Sequence, residues 1–208
     1  MFKDRFEAAT LLVKALEKYK NKKDTIILAI PRGALQIGQI LHEELCLPLD
    51  IIVTKKISHP MSEEFAIGAV GPGGEYFVDR SASAEVSDSY IEAQRRRLEI
   101  LVEEKYKHYR GDRVKPKLRG KLVIIVDDGI ATGSTILAAI HVIKKQKPAK
   151  IVVAVPVGPV DSVKRIGAEV DEIVCLLQPE VFFAIGAFYH SFPQVEDEEA
   201  ISILKKCQ

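Results

Sequence analysis

The stretch Lys121–Thr135, KLVIIVDDGIATGST, restricts the possible folds of this chain more than any other. Leu122 to Val126 are consecutive apolar residues, mostly β-branched. Such a run predicts a strand covered on both faces, as inside a parallel sheet. Asp127 and Asp128 follow at once, and then a short loop, Gly129 to Thr135, rich in glycine and hydroxyl side chains. Ile136, Leu137, Ala139, Ile140 and Ile143 then recur at spacings of three and four. That is the period of a helix with one apolar face.

The order strand, acidic pair, small polar loop and helix has a chemical meaning. The loop sets free backbone N–H groups and hydroxyls at a helix N-terminus, where partial positive charge favours a phosphate. Gly133 lets a ligand approach the backbone without a Cβ in the way. Two adjacent carboxylates beside such a cradle would repel a bare phosphate. They fit a ligand whose hydroxyls donate to them, as a ribose does, or a Mg²⁺ held through water. A sugar phosphate satisfies both halves of the site. A nucleoside triphosphate fits less well, because the Walker pattern GxxxxGK[ST] is absent, as is the GxGxxG fingerprint. An ordinary capped turn shares any one of these features. Their uninterrupted succession favours a binding site.

This stretch resembles the ribose-phosphate signature of the type I phosphoribosyltransferases. The resemblance implies that Asp127 and Asp128 bind the ribose 2′- and 3′-hydroxyls of phosphoribosyl pyrophosphate, with Mg²⁺ as cofactor at the same carboxylates. It implies that Ala131, Thr132, Gly133, Ser134 and Thr135 cradle the 5′-phosphate. Some members carry an acidic general base where this chain has Ala131, whereas adenine-type members have alanine there. The group that takes the acceptor's proton is therefore unassigned.

The chain has 208 residues, which suits one domain over 1–208 with a small subdomain. Apolar residues make up 47%, enough for a full core, and the formal charge of +1 gives no basic footprint for nucleic acid. No apolar run approaches the roughly 20 residues of a membrane helix. The opening MFKDRFEAA is charged and lacks the apolar centre of a secretory leader. Cys46, Cys175 and Cys207 are scattered and odd in number. Together these predict a cytoplasmic protein with reduced thiols.

Along the chain, Asp4–Lys20 reads as an amphipathic helix with Phe6, Ala9, Leu12, Val13 and Leu16 as its stripe and Asp4 as its cap. Thr25–Ile30 reads as a strand. The turn Pro31-Arg32-Gly33-Ala34 follows, and a helix runs to about Leu45. A turn at the carboxyl end of a parallel strand faces the ligand crevice of an open α/β sheet, so Arg32 and the turn's N–H groups are candidates for a second anion. By resemblance this is the family's pyrophosphate loop. Leu49–Thr54 is the next expected strand, ending at Lys55 and Lys56, either a solvated edge or part of the pyrophosphate site. Lys55 is the better placed of the two. Ile57–Glu64, ISHPMSEE, has no clear period and matches the start of the family's mobile loop, whose closure would exclude water. Phe65–Val70 and Tyr76–Asp79 flank GPGG and predict a hairpin.

Val86–Tyr109 predicts a long helix with Ile91, Leu98, Leu101, Val102 and Tyr106 on its buried stripe. Arg95, Arg96 and Arg97 are expected on its solvated face. Lys150–Val155 and Glu172–Leu177 predict strands and Val160–Ile166 a short helix between them. The alternation implies a doubly wound, mostly parallel α/β sheet. Gln178–Val195, QPEVFFAIGAFYHSFPQV, is crowded with aromatic rings. It either caps the core or forms a stacking platform for a planar acceptor, with Phe182, Phe183 and Tyr189 as candidates. In the family the acceptor pocket is a variable hood, to which 178–195 would contribute. A helix over Asp197–Lys206 closes the chain.

PRGA, K-x-x-HP through EFAIGAV, DDGIATGST and PEVFFAIGAFYHSFPQV together are similar to a prokaryotic group of phosphoribosyltransferases whose acceptor is open. The function this implies is transfer of phosphoribose to a nitrogenous, base-like small molecule with release of pyrophosphate, in a homodimer by family habit. Two competitors stand beside it. One is a non-catalytic, donor-binding regulator of nucleotide metabolism, supported only by the three arginines. The other is a hydrolase or phosphorylase with the same cradle.

Overall fold

The computed structural model describes residues 1–207. Its elements run α1 Arg5–Ala15, β1 Thr25–Ala29, α2 Ala34–Leu45, β2 Leu49–Ile51, β3 Lys55–His59, β4 Ser62–Val70, β5 Tyr76–Val78 and α3 Asp88–Arg110. Then come β6 Leu122–Val126, α4 Ser134–Lys145, β7 Lys150–Val157, α5 Val160–Gly167, β8 Glu172–Leu177 and α6 Asp197–Lys206. Five strands form one parallel sheet in the order β2-β1-β6-β7-β8. The other three form an antiparallel sheet, β3-β4-β5.

Strand chemistry sets the layers. Every residue of β1 and β6 is buried, so alternate side chains must go to opposite, equally apolar faces. Ile27, Ile124 and Val152 pack on one face with α1, α2, α3 and α6. Leu28, Ile125 and Val153 pack on the other with α4 and α5. The sheet is thus wound on both sides, as the alternation of elements predicts. From β1 the chain steps outward to β2, and from β6 it steps the opposite way to β7 and β8. The order therefore reverses between β1 and β6, where open α/β sheets form a crevice at the strands' carboxyl ends. The two turns singled out in the sequence, 31–34 and 127–135, leave those two ends.

The smaller sheet rests on α4. Phe77 of β5 stacks on His141 at 4.2 Å, and a methyl group on Gly71 would come within 2.3 Å of Val142 Cγ1. The far end of α3 is fixed to β2 by a buried ion pair. Arg110 Nε and Nη2 donate to the two carboxylate oxygens of Asp50, both at 2.6 Å. Breaking such a pair by removing one partner costs about 3–5 kcal/mol.

Several expectations shift. The extended run Leu49–Thr54 divides: β2 ends at Ile51, residues 52–54 leave the sheet, and Lys55 and Lys56 begin β3. The stretch from Ile57, expected to be irregular, continues β3 into a hairpin with β4. The first helix ends at Ala15, followed by a single 3₁₀ turn at Glu17–Tyr19. Phe6 and Leu101, placed on buried stripes by their spacing, are 68% and 41% exposed. Each lies at the edge of its stripe, where one step of helical rotation turns a side chain to solvent. Asp4 and Ser87 cap α1 and α3 as side-chain acceptors, from Glu7 N and Tyr90 N.

Candidate active site

The cradle begins where β6 ends. Gly133 has φ +74°, a left-handed conformation open to glycine, and it turns the chain into α4. The loop is held from behind by α5. Ser162 Oγ donates to the Ala131 carbonyl at 2.9 Å, and the Arg165 guanidinium donates to the Thr132 carbonyl. Within the loop, Ile130 N–H donates to the Val157 carbonyl at 2.7 Å and Ser134 N–H to Thr132 Oγ1 at 3.4 Å. A cavity of 120 Å³ opens there, lined by Asp127, Gly129 and residues 130–136, with Ile185 across it. A single tetrahedral anion fits that size and chemistry.

The acidic pair is not symmetric. Asp128 is tied to Arg5: Nε and Nη2 of the guanidinium donate to Oδ2 at 3.0 and 2.8 Å. Nη1 of Arg5 donates to the Pro193 carbonyl at 2.7 Å, and its guanidinium carbon lies 3.8 Å from the centre of the Phe192 ring. Among the described residues Asp127 forms no ion pair, and its Oδ1 accepts from the Asp128 backbone N–H at 2.9 Å. Burial, and then the charge of Asp128, push the Asp127 carboxyl well above the usual carboxylate range. A carboxylate held this way gains from hydroxyl donors or a cation. Among the described residues no three acidic, histidine or cysteine side chains gather to make a metal cage. Asp127 therefore fits a Mg²⁺ that keeps water and substrate oxygens as its other ligands, the usual habit of that ion.

The 31–34 turn touches this pair. A methyl group on Gly33 would stand 2.0 Å from Asp128 Oδ2. The Pro31–Arg32 peptide is cis. Arg32 points toward α6, where Nη1 donates to Asp197 Oδ1 at 3.2 Å. Asp197 also accepts from the Tyr109 hydroxyl at 2.7 Å. The Tyr109 bond, with Arg32 behind it, holds Asp197 below the usual carboxylate range. Burial and the bond to Asp197 push Tyr109 up to about 12.

Adjacent residues of a strand face opposite ways, and this separates the two lysines. Lys55 shares the electrostatic surroundings of Arg32 and Lys105. Lys56 lines a different cavity, of 260 Å³, between the smaller sheet and α4. The three aromatic candidates also part company. Tyr189 is buried, and its hydroxyl donates to the Asp128 carbonyl at 2.7 Å. Phe182 stacks on Phe188 at 5.2 Å. Phe183 is 90% exposed. The 178–195 tail as a whole lies over the acidic pair and the cradle, with Ile185 against Gly129.

The sequence reading missed Arg5, Tyr109, Ser162, Arg165, Phe192 and Asp197. Each sits in an ordinary-looking helix or tail and reaches the site from far along the chain. No local motif carries them.

Comparison with known proteins agrees with this geometry. The phosphoribosyl transferase domain family matches residues 4–192, and the chain belongs to that family. Proteins of Mycobacterium tuberculosis strains CDC 1551 and H37Rv, named as candidate phosphoribosyl transferases, are each 34% identical over 208 residues. These cover 99% of this chain but 47% of theirs, so the chain spans about half the length of these curated relatives. The crystal structure of TT1426 from Thermus thermophilus is 36% identical. It superposes with a TM-score of 0.92 over 99% of this chain and 98% of that one.

Proposed function

We propose that this chain transfers phosphoribose from 5-phosphoribosyl 1-pyrophosphate to a ring nitrogen of a planar, base-like small molecule. The observation that carries this reading is the meeting of three features at the β1/β6 reversal: the 120 Å³ cradle, the acidic pair and the Pro31–Ala34 turn. Their order matches a 5′-phosphate, a ribose and a pyrophosphate in one extended ligand.

In this reading Thr132, Ser134, Thr135 and the backbone of 131–135 hold the 5′-phosphate. Asp127 accepts from a ribose hydroxyl and, with Asp128, is the ligand toward Mg²⁺. That ion would supply charge neutralisation to the diphosphate oxygens. Arg5 holds Asp128 through Oδ2, so its remaining oxygen is the one offered to the sugar. The bond from C1 to the pyrophosphate oxygen breaks as the acceptor nitrogen's lone pair bonds C1. The electron pair leaves with pyrophosphate, toward Arg32 and Lys55, where fixed positive charge favours the developing anion. With alanine at position 131, the cradle supplies no carboxylate for the nitrogen's proton.

The hairpin end around His59–Ser62 is the segment we assign to closure over the reacting centre. Residues 178–195 form one wall of the acceptor pocket, with Phe182 and Phe183 nearest the mouth and Tyr189 beneath it. A homodimer is what the family resemblance implies. Arg95 is bound to Glu92 and Glu99, and Arg96 to Glu92, so two of the three arginines are already paired on their own helix. Among the described residues no helix is long and apolar enough to cross a membrane.

The test is pyrophosphate release from the donor with Mg²⁺ and pooled nucleobases. Release that needs a base, and is lost in Asp127→Asn, supports the transferase. Release without a base would make the chain a hydrolase.

A further inference from the structure

Lys105 sits in the C-terminal part of α3, four residues before Tyr109. Its ammonium lies 5.9 Å from the Tyr109 ring centre. Tyr109 bonds Asp197, and Asp197 bonds Arg32, so the helix face that carries Lys105 is joined directly to the Pro31–Ala34 turn. Lys55 enters from the other side at the start of β3, which packs on α3. Arg32, Lys55 and Lys105 come from a turn, a strand and a helix far apart in the chain, and the charges of Lys55 and Arg32 both act on the Lys105 ammonium.

The charges at this junction do not balance. Arg32 is met by Asp197 at 3.2 Å and by Glu196 at 3.8 Å. Among the described residues, neither Lys55 nor Lys105 has a carboxylate within salt-bridge distance. Partial withdrawal from water, followed by the charges of Lys55 and Arg32, holds the Lys105 ammonium below the ordinary lysine range, with Asp197 acting the other way. Like charges gathered in partly dehydrated surroundings cost free energy unless an anion joins them. An anion bearing several charges on adjacent oxygens would meet all three cations together.

We propose that Lys105 is a third cation of the leaving-group subsite, binding the diphosphate oxygens beside Arg32 and Lys55. Asp197 is its positioning partner: it fixes Arg32 and the Tyr109 side of α3 in one frame. The inference rests on the donor reading above and adds to it a residue from α3.

The test compares two halves of the donor by calorimetry on the full chain, using Mg²⁺ with inorganic pyrophosphate and, separately, ribose 5-phosphate. Lys105 is only partly withdrawn from water and belongs to no buried cluster, so Lys105→Ala is expected to fold. It should weaken pyrophosphate binding on the order of tenfold, the size of one charge–charge contact near a surface. Ribose 5-phosphate binding should stay within about twofold, and Lys105→Arg should restore most of the pyrophosphate affinity. Unchanged pyrophosphate binding in Lys105→Ala, or an equal fall for both ligands, overturns the assignment while leaving the donor reading standing. A parent chain that binds neither ligand overturns both.

Discussion

Arg5 and Asp128, 123 residues apart, are joined by two hydrogen bonds from one guanidinium to one carboxylate oxygen, at 3.0 and 2.8 Å. The first helix is thereby coupled to the acidic pair at the end of β6. The pair's side chains are only 6% and 15% exposed, so the interaction is screened little by water.

Arg5→Ala should therefore destabilise the chain by about 3–5 kcal/mol, because it strands a mostly buried carboxylate. Arg5→Lys should recover only part of this. An ammonium cannot reach Asp128 and the Pro193 carbonyl together, nor lie flat on Phe192 as a guanidinium does. Urea denaturation of the three chains gives the ranking. Equal midpoints would contradict the coupling.

The raised Asp127 carboxyl makes a prediction with a definite sign. It binds its proton more tightly in the folded chain than in the unfolded one. Its contribution to stability is therefore full below the unfolded value and is lost as pH rises toward the folded one. Asp127→Asn removes that loss. The variant should melt above the parent at neutral pH, with the gap closing as pH is lowered toward about 4. It should also lose the donor. Calorimetric melting across pH measures the first effect, and a parent that melts higher at neutral pH would contradict it.

Gly33 has φ −55°, which any residue can adopt, so its requirement is steric. The collision with Asp128 Oδ2 predicts that Gly33→Ala costs about 1–3 kcal/mol and displaces the acidic pair. Circular dichroism should be unchanged while donor affinity falls. Unaltered affinity would mean that the turn and the pair can separate freely.

The aromatic tail should divide by function. Phe183→Ala should leave stability within about 0.5 kcal/mol, since the ring is exposed, and raise KM for the acceptor with kcat little changed. Tyr189→Phe should cost about 1 kcal/mol by removing the bond to the Asp128 carbonyl. Its kinetic effect should fall on the donor. Steady-state kinetics of both variants, with each substrate varied in turn, would reveal any exchange of these roles.

What the sequence made legible was local. Leu122–Val126 occupies the strand its composition implies, and the loop after Asp128 turns into a helix, as the motif suggests, whereas the left-handed Gly133 makes room for Ile166 and not for a ligand. Both depend on contacts along the chain. The same reading could not tell Asp127 from Asp128, because the difference is made by Arg5, which resembles any exposed helical arginine until α1 packs over β7 and β8 and its guanidinium reaches the end of β6. It misplaced Lys55 and Lys56 at a strand's end because β2 and β3 form one extended stretch in sequence, with no turn residue where they part. It passed over Lys105 and Asp197 because an acid in a first helical turn and a lysine on a long helix have sufficient local reasons to be there. The site is assembled by the topology of the sheet, which periodicity predicts only as a class.

The central claim is that the β1/β6 crevice holds phosphoribosyl pyrophosphate in one extended pose. It is tested most directly by titrating the full chain with this donor and Mg²⁺ in a calorimeter, beside Asp127→Asn. The account predicts one donor per chain and loss of that binding in the variant. No binding by the parent chain, or equal binding by the variant, would contradict it.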